Sequence, residues 1–347
     1  MLSKFKDGSY KYRKPLNFDP QDRRFDIFKD EVELFLSPKI ETLRNVRISN
    51  NSVAFRFFKI FRETCIGEEN YQKYQNNFLS FYLKFIFPKF NFSRKKFLLI
   101  TDEWTSNYYH WHIFALGRLA VLQDAGLLKN SLLFLPKKYQ NYGMVIPSLR
   151  AFGITEDQIV FLRRKSNIKV AEVSLASVHQ HHTEVLKKVY YNLQNSIDQI
   201  AVKDLDLGDK IYISREGQYS RYAENESDVV ALLESYGFKK IRAEKFSYAE
   251  QVAILSKAKY LISPHGAGLT NMMFMKEGGY VLELTTKSKS IKPVTDYYKM
   301  ANIIGINYLC QECEMGEDTK SRTSDSHEVS IHVNLSELEN NLKLMIR

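Results

Sequence analysis

The chain has 347 residues, 44% hydrophobic and 13% aromatic, with a formal net charge of +10. That length favours two lobes, and that apolar content excludes both a disordered chain and a small disulfide-stapled scaffold. The positive charge favours anionic partners such as nucleotide phosphates, acidic glycans, anionic lipid or nucleic acid.

Three cysteines, Cys65, Cys310 and Cys313, are too few for a disulfide framework and suit a reducing compartment. Cys310 and Cys313 have metal-ligand spacing, but no second pair or nearby histidine cluster completes a zinc set, so no metal site is assigned. Met1 to Arg13 is polar and lacks the apolar core of a signal peptide. No apolar run approaches the roughly 20 residues of a spanning helix. The expectation is a cytoplasmic protein, with a second option of peripheral attachment at the inner face of a membrane.

Residues 1 to 95 show no regular rhythm. Phe78 to Phe90 is strongly aromatic and is followed by Arg94, Lys95 and Lys96. It reads as a core element with a basic edge or, over 78–96, as a segment resting on anionic lipid.

From Phe97 the chain alternates. Phe97–Thr101 reads as a buried parallel strand, Asn107–Ala125 as a helix closed by Gly126, and Leu132–Leu135 as a second strand ended by Pro136. Tyr139–Phe152 reads as a helix, and Gln158–Leu162 and Ile168–Val173 as strands. Val178–Val202 reads as a long helix whose start carries His179, His181 and His182. Neighbouring helical residues face different ways, so these histidines read as a surface patch before a metal site. Asp204–Lys210 is the expected inter-lobe linker.

A second alternation follows. Strands are expected at Lys210–Ser214, Lys239–Arg242, Tyr260–Ser263 and Gly279–Leu284, and helices at Asn225–Tyr236, Tyr248–Ser256, Leu269–Lys276 and Val294–Asn302. Asn225 is placed to cap its helix and Gly237 to end it. Glu314–Ser326 reads as a loop, and Ser336–Met345 as a closing helix capped by Ser336 with Glu339. The fold class is α/β, with two Rossmann-like lobes facing a central cleft. The expected divisions are 1–205, 206–330, and a 331–347 helix packing back on the first lobe.

The chemistry concentrates at strand ends of the second lobe. Ser263-Pro264-His265-Gly266-Ala267-Gly268-Leu269-Thr270-Asn271 joins a buried strand to a helix start. Free backbone N–H groups and the helix dipole make such a junction an anion site, and the glycines admit a phosphate close to the backbone. Arg215 and Arg221 follow the preceding parallel strand, and their planar forks suit a diphosphate. The competing reading pairs them with Glu216, Glu224 or Glu226. Glu283 ends the next strand, where a carboxylate can accept from a ribose diol. In the first lobe His110 is expected to face the cleft, with Asp102 and Glu103 on the loop before it.

Taken in order, Asn107-Tyr108-Tyr109-His110-Trp111…Arg118-Leu119, Ile213-Ser214-Arg215…Arg221…Asn225-Glu226…Gly237-Phe238, Pro264–Asn271 and Leu282-Glu283-Leu284 resemble glycosyltransferase family 61, over roughly residues 97 to 310. The resemblance implies a GT-B fold and inverting transfer of a sugar from a nucleotide sugar to a hydroxyl. Xylosyl-, arabinosyl- and N-acetylglucosaminyltransferases belong to the family. Phe114 and Gly117 stand where many members carry an acidic residue and a proline.

The resulting expectation is an inverting, metal-independent transferase without a cofactor, its substrates a nucleotide-sugar donor and a glycan or lipid-linked acceptor. A bacterial surface polysaccharide is the expected context. Arg215, Arg221, His265, Gly266, Ala267, Gly268, Asn271 and Glu283 are assigned to the donor. His110, whose ordinary pKa lies near operating pH, is the first candidate base and Asp102 the second. The alternatives are a non-catalytic nucleotide- or glycan-binding relative and a basic nucleic-acid-binding protein. A nucleic-acid partner is not expected, because no nucleic-acid motif is present. A dinucleotide oxidoreductase is excluded because neither Thr101 nor Ser214 is followed by Gly-x-Gly-x-x-Gly.

Overall fold

The computed structural model describes residues 4–29, 32–57, 59–90, 95–286, 295–317 and 329–346. Arg94, Val294 and residues 318–326 of the expected loop lie outside the described residues.

The chain divides into two compact units, residues 1–8 with 34–192 and residues 9–33 with 193–347. The division at Asn192 precedes the expected 204–210 linker. From Leu193 onward the chain is already tied down: Gln194 donates to the carbonyls of Met273 and Met275 at 2.9 Å each, and Val202 N–H donates to Ala249. Residues 9–33, expected in the first lobe, build on the second unit. Leu16 N–H donates to the Tyr308 carbonyl at 2.9 Å, Asn17 donates to the Cys310 carbonyl at 2.7 Å, and Arg24 pairs with Glu337.

Strands β1 (Gly8–Lys11) and β2 (Val32–Phe35) pair as a two-stranded ribbon. The first unit then contributes β3 (Ile40–Ser49), β4 (Ala54–Arg56), β5 (Lys59–Ile60), β6 (Lys89–Phe90), β7 (Lys96–Leu99), β8 (Ser131–Pro136), β9 (Ile159–Leu162) and β10 (Asn167–Ala176). Among the described residues they form one sheet ordered β5-β4-β3-β10-β7-β8-β9, with β6 beside β10. The stretch β10-β7-β8-β9 is parallel. Strand β3, absent from the expected elements, runs antiparallel along the whole of β10.

The helical run Tyr108–Asp124 follows β7, with a π turn over Trp111–Ala115. The expected 178–202 helix is Thr183–Gln194 and Ile197–Ile200. His179, His181 and His182 therefore precede the helix. His182 is fully buried, its ring 4.4 Å from that of Phe35. The aromatic segment has two faces: Phe78, Phe81 and Phe85 pack with Phe55 in a core cluster, while Leu79, Leu83 and Phe87 are exposed.

The second unit holds β11 (Lys210–Ile213), β12 (Lys239–Ile241), β13 (Tyr260–Pro264), β14 (Tyr280–Thr286), β15 (Asn307–Met315) and β16 (Ile331–His332), ordered β12-β11-β13-β14-β15-β16. All pairs are parallel except β15 with β16. The chain leaves β11 in one direction to β12 and then crosses to β13 on the other side, so the order reverses between β11 and β13. In open α/β sheets ligands bind outside the carboxyl ends of strands at that reversal.

The Leu335–Met345 helix was expected against the first lobe. It packs in the second unit instead: Leu338, Leu342 and Met345 share a core with Tyr212, Leu282 and Leu309. Its cap is Asn334, whose Oδ1 accepts Glu337 N–H at 3.0 Å, two residues before the expected Ser336. Asn225 gives its helix no side-chain cap. It bonds both ways with the Val333 backbone, which is where its polar atoms are spent. Gly237 ends that helix at φ +84° as expected.

Candidate functional site

Arg215 follows β11 and His265 follows β13, so the two lie on either side of the reversal point. The backbone there is packed to bring them together. Gly266 has no Cβ, and one placed there would collide with the Arg215 guanidinium. A Cβ on Gly268 would lie 3.1 Å from Ile213 Cγ2, so that glycine lets the Ala267–Phe274 helix close onto β11. That helix is 3-10 in form and starts two residues before the expected one.

The Nε and Nη2 of Arg215 donate to the Ser220 carbonyl at 3.2 and 3.1 Å. Burial, and then the charge of Arg221, lower its pKa to about 10. Two guanidinium groups thus sit close enough to oppose each other's charge. Arg221 holds φ at +58°, a conformation an L side chain adopts at a cost. Its Nε is buried without a hydrogen-bond partner among the described residues.

The three carboxylates expected as competing partners of these arginines are engaged elsewhere. Glu216 pairs with Lys240 at 2.9 Å. Glu226 accepts the Tyr212 hydroxyl at 2.9 Å. Glu224 accepts the Ser330 hydroxyl and the Glu317 N–H. Among the described residues neither Arg215 nor Arg221 has an ion pair. Two half-buried like charges held together without ion pairs form an arrangement that an anion would complete.

Arg221, His265 and Glu283 line one hollow of about 200 Å³. Glu283 is 1% exposed and both its oxygens are occupied. One accepts His265 Nδ1–H and the other accepts the Tyr308 hydroxyl at 2.6 Å. Each oxygen thus already accepts one hydrogen bond from the protein, and the side chain is expected to act on a ligand through His265 more than through a ribose diol. Its partnership fixes His265 instead, leaving Nε2 as the ring nitrogen available to a ligand. The His265 ring also meets Tyr297 edge-on at 5.2 Å.

Asn271 is buried and donates to Gln251 Oε1 at 3.1 Å, which ties its helix to the Tyr248–Lys257 helix. Ala267 and Gly268 remain partly exposed at the turn. Arg23 was missed. It lines the same hollow from the 23–28 turn and has no ion pair among the described residues. It lies in the stretch without periodicity, where no pattern marks it.

In the first unit the expected base candidates are separated by their bonding. Asp102 is 7% exposed and forms an ion pair with Arg118 at 2.5 Å. Its Oδ1 also accepts the Trp104 and Thr105 amides. It is a brace of the loop after β7 and not an available base. His110 is partly exposed, stacked on Phe114 at 5.4 Å and tilted against Trp104 at 5.4 Å. Trp111 is fully buried and donates to Ser148 Oγ at 2.9 Å. His112 is the core histidine: burial lowers its pKa to about 4, and its Nδ1 lies 2.8 Å from the Tyr108 carbonyl. Cys310 and Cys313 are buried on β15, and no group of three metal-ligating side chains is assembled among the described residues.

The sheet order and the neighbouring arginines define an α/β protein with guanidinium groups gathered beside its topological reversal, Arg221 also lining the hollow that Arg215 does not reach. Residues 108–282, half of the sequence, match the model of the Glycosyltransferase 61 family, and the chain belongs to that family. Over 104 residues it is 30% identical to the EGF domain-specific O-linked N-acetylglucosamine transferase of Drosophila melanogaster. That stretch is 29% of this chain and spans about a fifth, 19%, of the relative. No helix among the described residues is long and apolar enough to cross a membrane.

Proposed function

We propose that the protein is an inverting glycosyltransferase that moves a sugar from a nucleoside-diphosphate sugar to a hydroxyl of a glycan or glycoconjugate. The observation that carries this reading is the unneutralised pair Arg215 and Arg221 beside the Gly266–Gly268 turn and His265. In this reading the guanidinium groups, the turn amides and His265 Nε2 hold the diphosphate, and Arg23 adds charge at the rim. The acceptor oxygen attacks the anomeric carbon from the face opposite the diphosphate. The carbon–oxygen bond to phosphate breaks, and its electron pair leaves on the phosphate oxygen. Protein cations stabilise that developing charge, so no metal is required. The acceptor proton passes to a base, for which His110 is the candidate once Asp102 is committed to Arg118.

We take the two units as the two lobes of a GT-B enzyme, the second for the donor and the first for the acceptor. A bacterial surface polysaccharide is the proposed context, in the cytoplasm. The exposed Leu79, Leu83 and Phe87 beside Lys84 support a peripheral contact with anionic lipid. The test is release of nucleoside diphosphate from a panel of nucleotide sugars, with and without EDTA. Release that persists in EDTA is expected. No turnover of any donor, or activity that EDTA abolishes and a divalent ion restores, contradicts this reading in whole or in its metal-free part.

A further inference from the structure

We propose that the first unit binds a saccharide bearing an acidic group, carboxylate or phosphate, in the hollow at the carboxyl ends of β7, β8 and β9. This rests on the transferase reading and adds to it the charge of the acceptor.

The hollow measures about 550 Å³ and lies wholly within the first unit. Three adjacent parallel strands aim their carboxyl ends at it, the side of an α/β sheet where ligands are held. The loop after each strand supplies charge: Glu103 after β7, Lys137 and Lys138 after β8, Arg164 after β9. None of the three cations has an ion pair among the described residues.

The nearby carboxylates do not cancel them. Asp102 is already neutralised by Arg118. Glu103 Oε2 accepts the Ile66 N–H at 3.4 Å, and its carboxyl group also interacts with Tyr74 in the wall of the hollow. Burial raises the Glu103 pKa, and its carboxyl oxygens can accept from a sugar hydroxyl. The hollow is therefore cationic, its three basic side chains outnumbering the one carboxylate, Glu103, that has no basic partner. Asn50 and Asn141 line it too and offer amide partners for hydroxyls. Sugar hydroxyls alone call for amides and carboxylates; three exposed cations without ion pairs around one hollow add an attraction for an anion on the same molecule.

The test titrates the full chain at low salt with digalacturonic acid, glucose 6-phosphate, neutral lactose and inorganic phosphate, followed by calorimetry. One acidic sugar is expected to bind about tenfold or more tighter than lactose and than inorganic phosphate. Whichever acidic probe prevails identifies the anion as carboxylate or phosphate. The double variant Lys137→Gln, Arg164→Gln should lose about tenfold in that affinity. If the pair does not fold, Lys137→Gln alone at its exposed site is read the same way. Lactose binding as tightly, inorganic phosphate binding as tightly, or variants binding like wild type would each overturn the proposal. Uridine diphosphate titrated into the same samples reports the donor site separately. Its failure to bind wild type would count against the donor reading alone, and unchanged binding in the variants would isolate the acceptor hollow.

Discussion

His265, just past the end of β13, and Glu283, in the middle of the neighbouring parallel β14, share a hydrogen bond across 18 residues of sequence, and Tyr308 holds the far oxygen of the same carboxylate. The arrangement resembles the support of an imidazole by a buried carboxylate in hydrolytic triads, where the carboxylate fixes tautomer and orientation. Glu283→Gln should therefore lower transfer by about 10²-fold or more, with a smaller change in donor KM. Nitrogen-15 shifts of the His265 ring should report a changed tautomer balance in the variant. Wild-type turnover with an unchanged ring signature would remove Glu283 from this positioning role.

Gly266 tests the approach of Arg215 to the turn. Gly266→Ala places a methyl group where the guanidinium lies, so the arginine must move away from the amides. Donor affinity should fall while the thermal midpoint stays within a few degrees, since the displaced group is a side chain at a ligand site. Gly268→Ala crowds Ile213 in the sheet and should instead cost stability, about 1–3 kcal/mol as for other overpacked sites. Equal effects of the two changes on binding and stability would contradict the assignment.

Asp102→Asn leaves Arg118 without its counter-charge, and both groups are largely buried. The expected outcome is a loss of stability of about 3–5 kcal/mol, read by urea unfolding. Folded enzyme should retain most of its turnover. A stable variant without activity would return Asp102 to the list of candidate bases.

His112 provides a pH signature of folding. Its pKa is about 4 in the folded chain against an ordinary 6.5, because burial opposes its charge. Above pH 6.5 both states are neutral and the group has no effect. As pH falls from 6.5 to 4 the unfolded chain takes up the proton first, and stability is lost. Below pH 4 both states are protonated and the loss levels off. That difference corresponds to about 3 kcal/mol. His112→Gln should flatten this part of the stability curve between pH 6.5 and 4; an unchanged slope would show that other groups set it.

The parts of the fold legible in the sequence were those whose residues carry their own signal. Phe97–Leu99 and Leu132–Leu135 are apolar runs bounded by polar loops, and they are β7 and β8. Arg215 and His265 could be placed because each directly follows such a strand. Strand β3 was hidden because Arg44 and Arg47 interrupt its apolar pattern and its pairing partner lies in β10, over a hundred residues on. Long-range partners explain the other misses. Asn225 has the right type for a cap, but the backbone of Val333 takes its side chain. The occupied oxygens of Glu283 and the ion pair of Asp102 are side-chain contacts that no local spacing encodes. Arg23 reaches its hollow only because residues 9–33 fold onto the second unit.

The central claim is that Arg215 and Arg221 grip a diphosphate. The direct measurement is calorimetric titration of uridine, uridine monophosphate and uridine diphosphate into wild type, Arg215→Ala and Arg221→Ala, in EDTA. The account predicts that wild type prefers the diphosphate over the nucleoside. It also predicts that each alanine variant loses about 2–5 kcal/mol of diphosphate binding while its weak nucleoside binding is unchanged. Variants that hold the diphosphate as tightly as wild type, or a wild type that does not distinguish diphosphate from nucleoside, would contradict it.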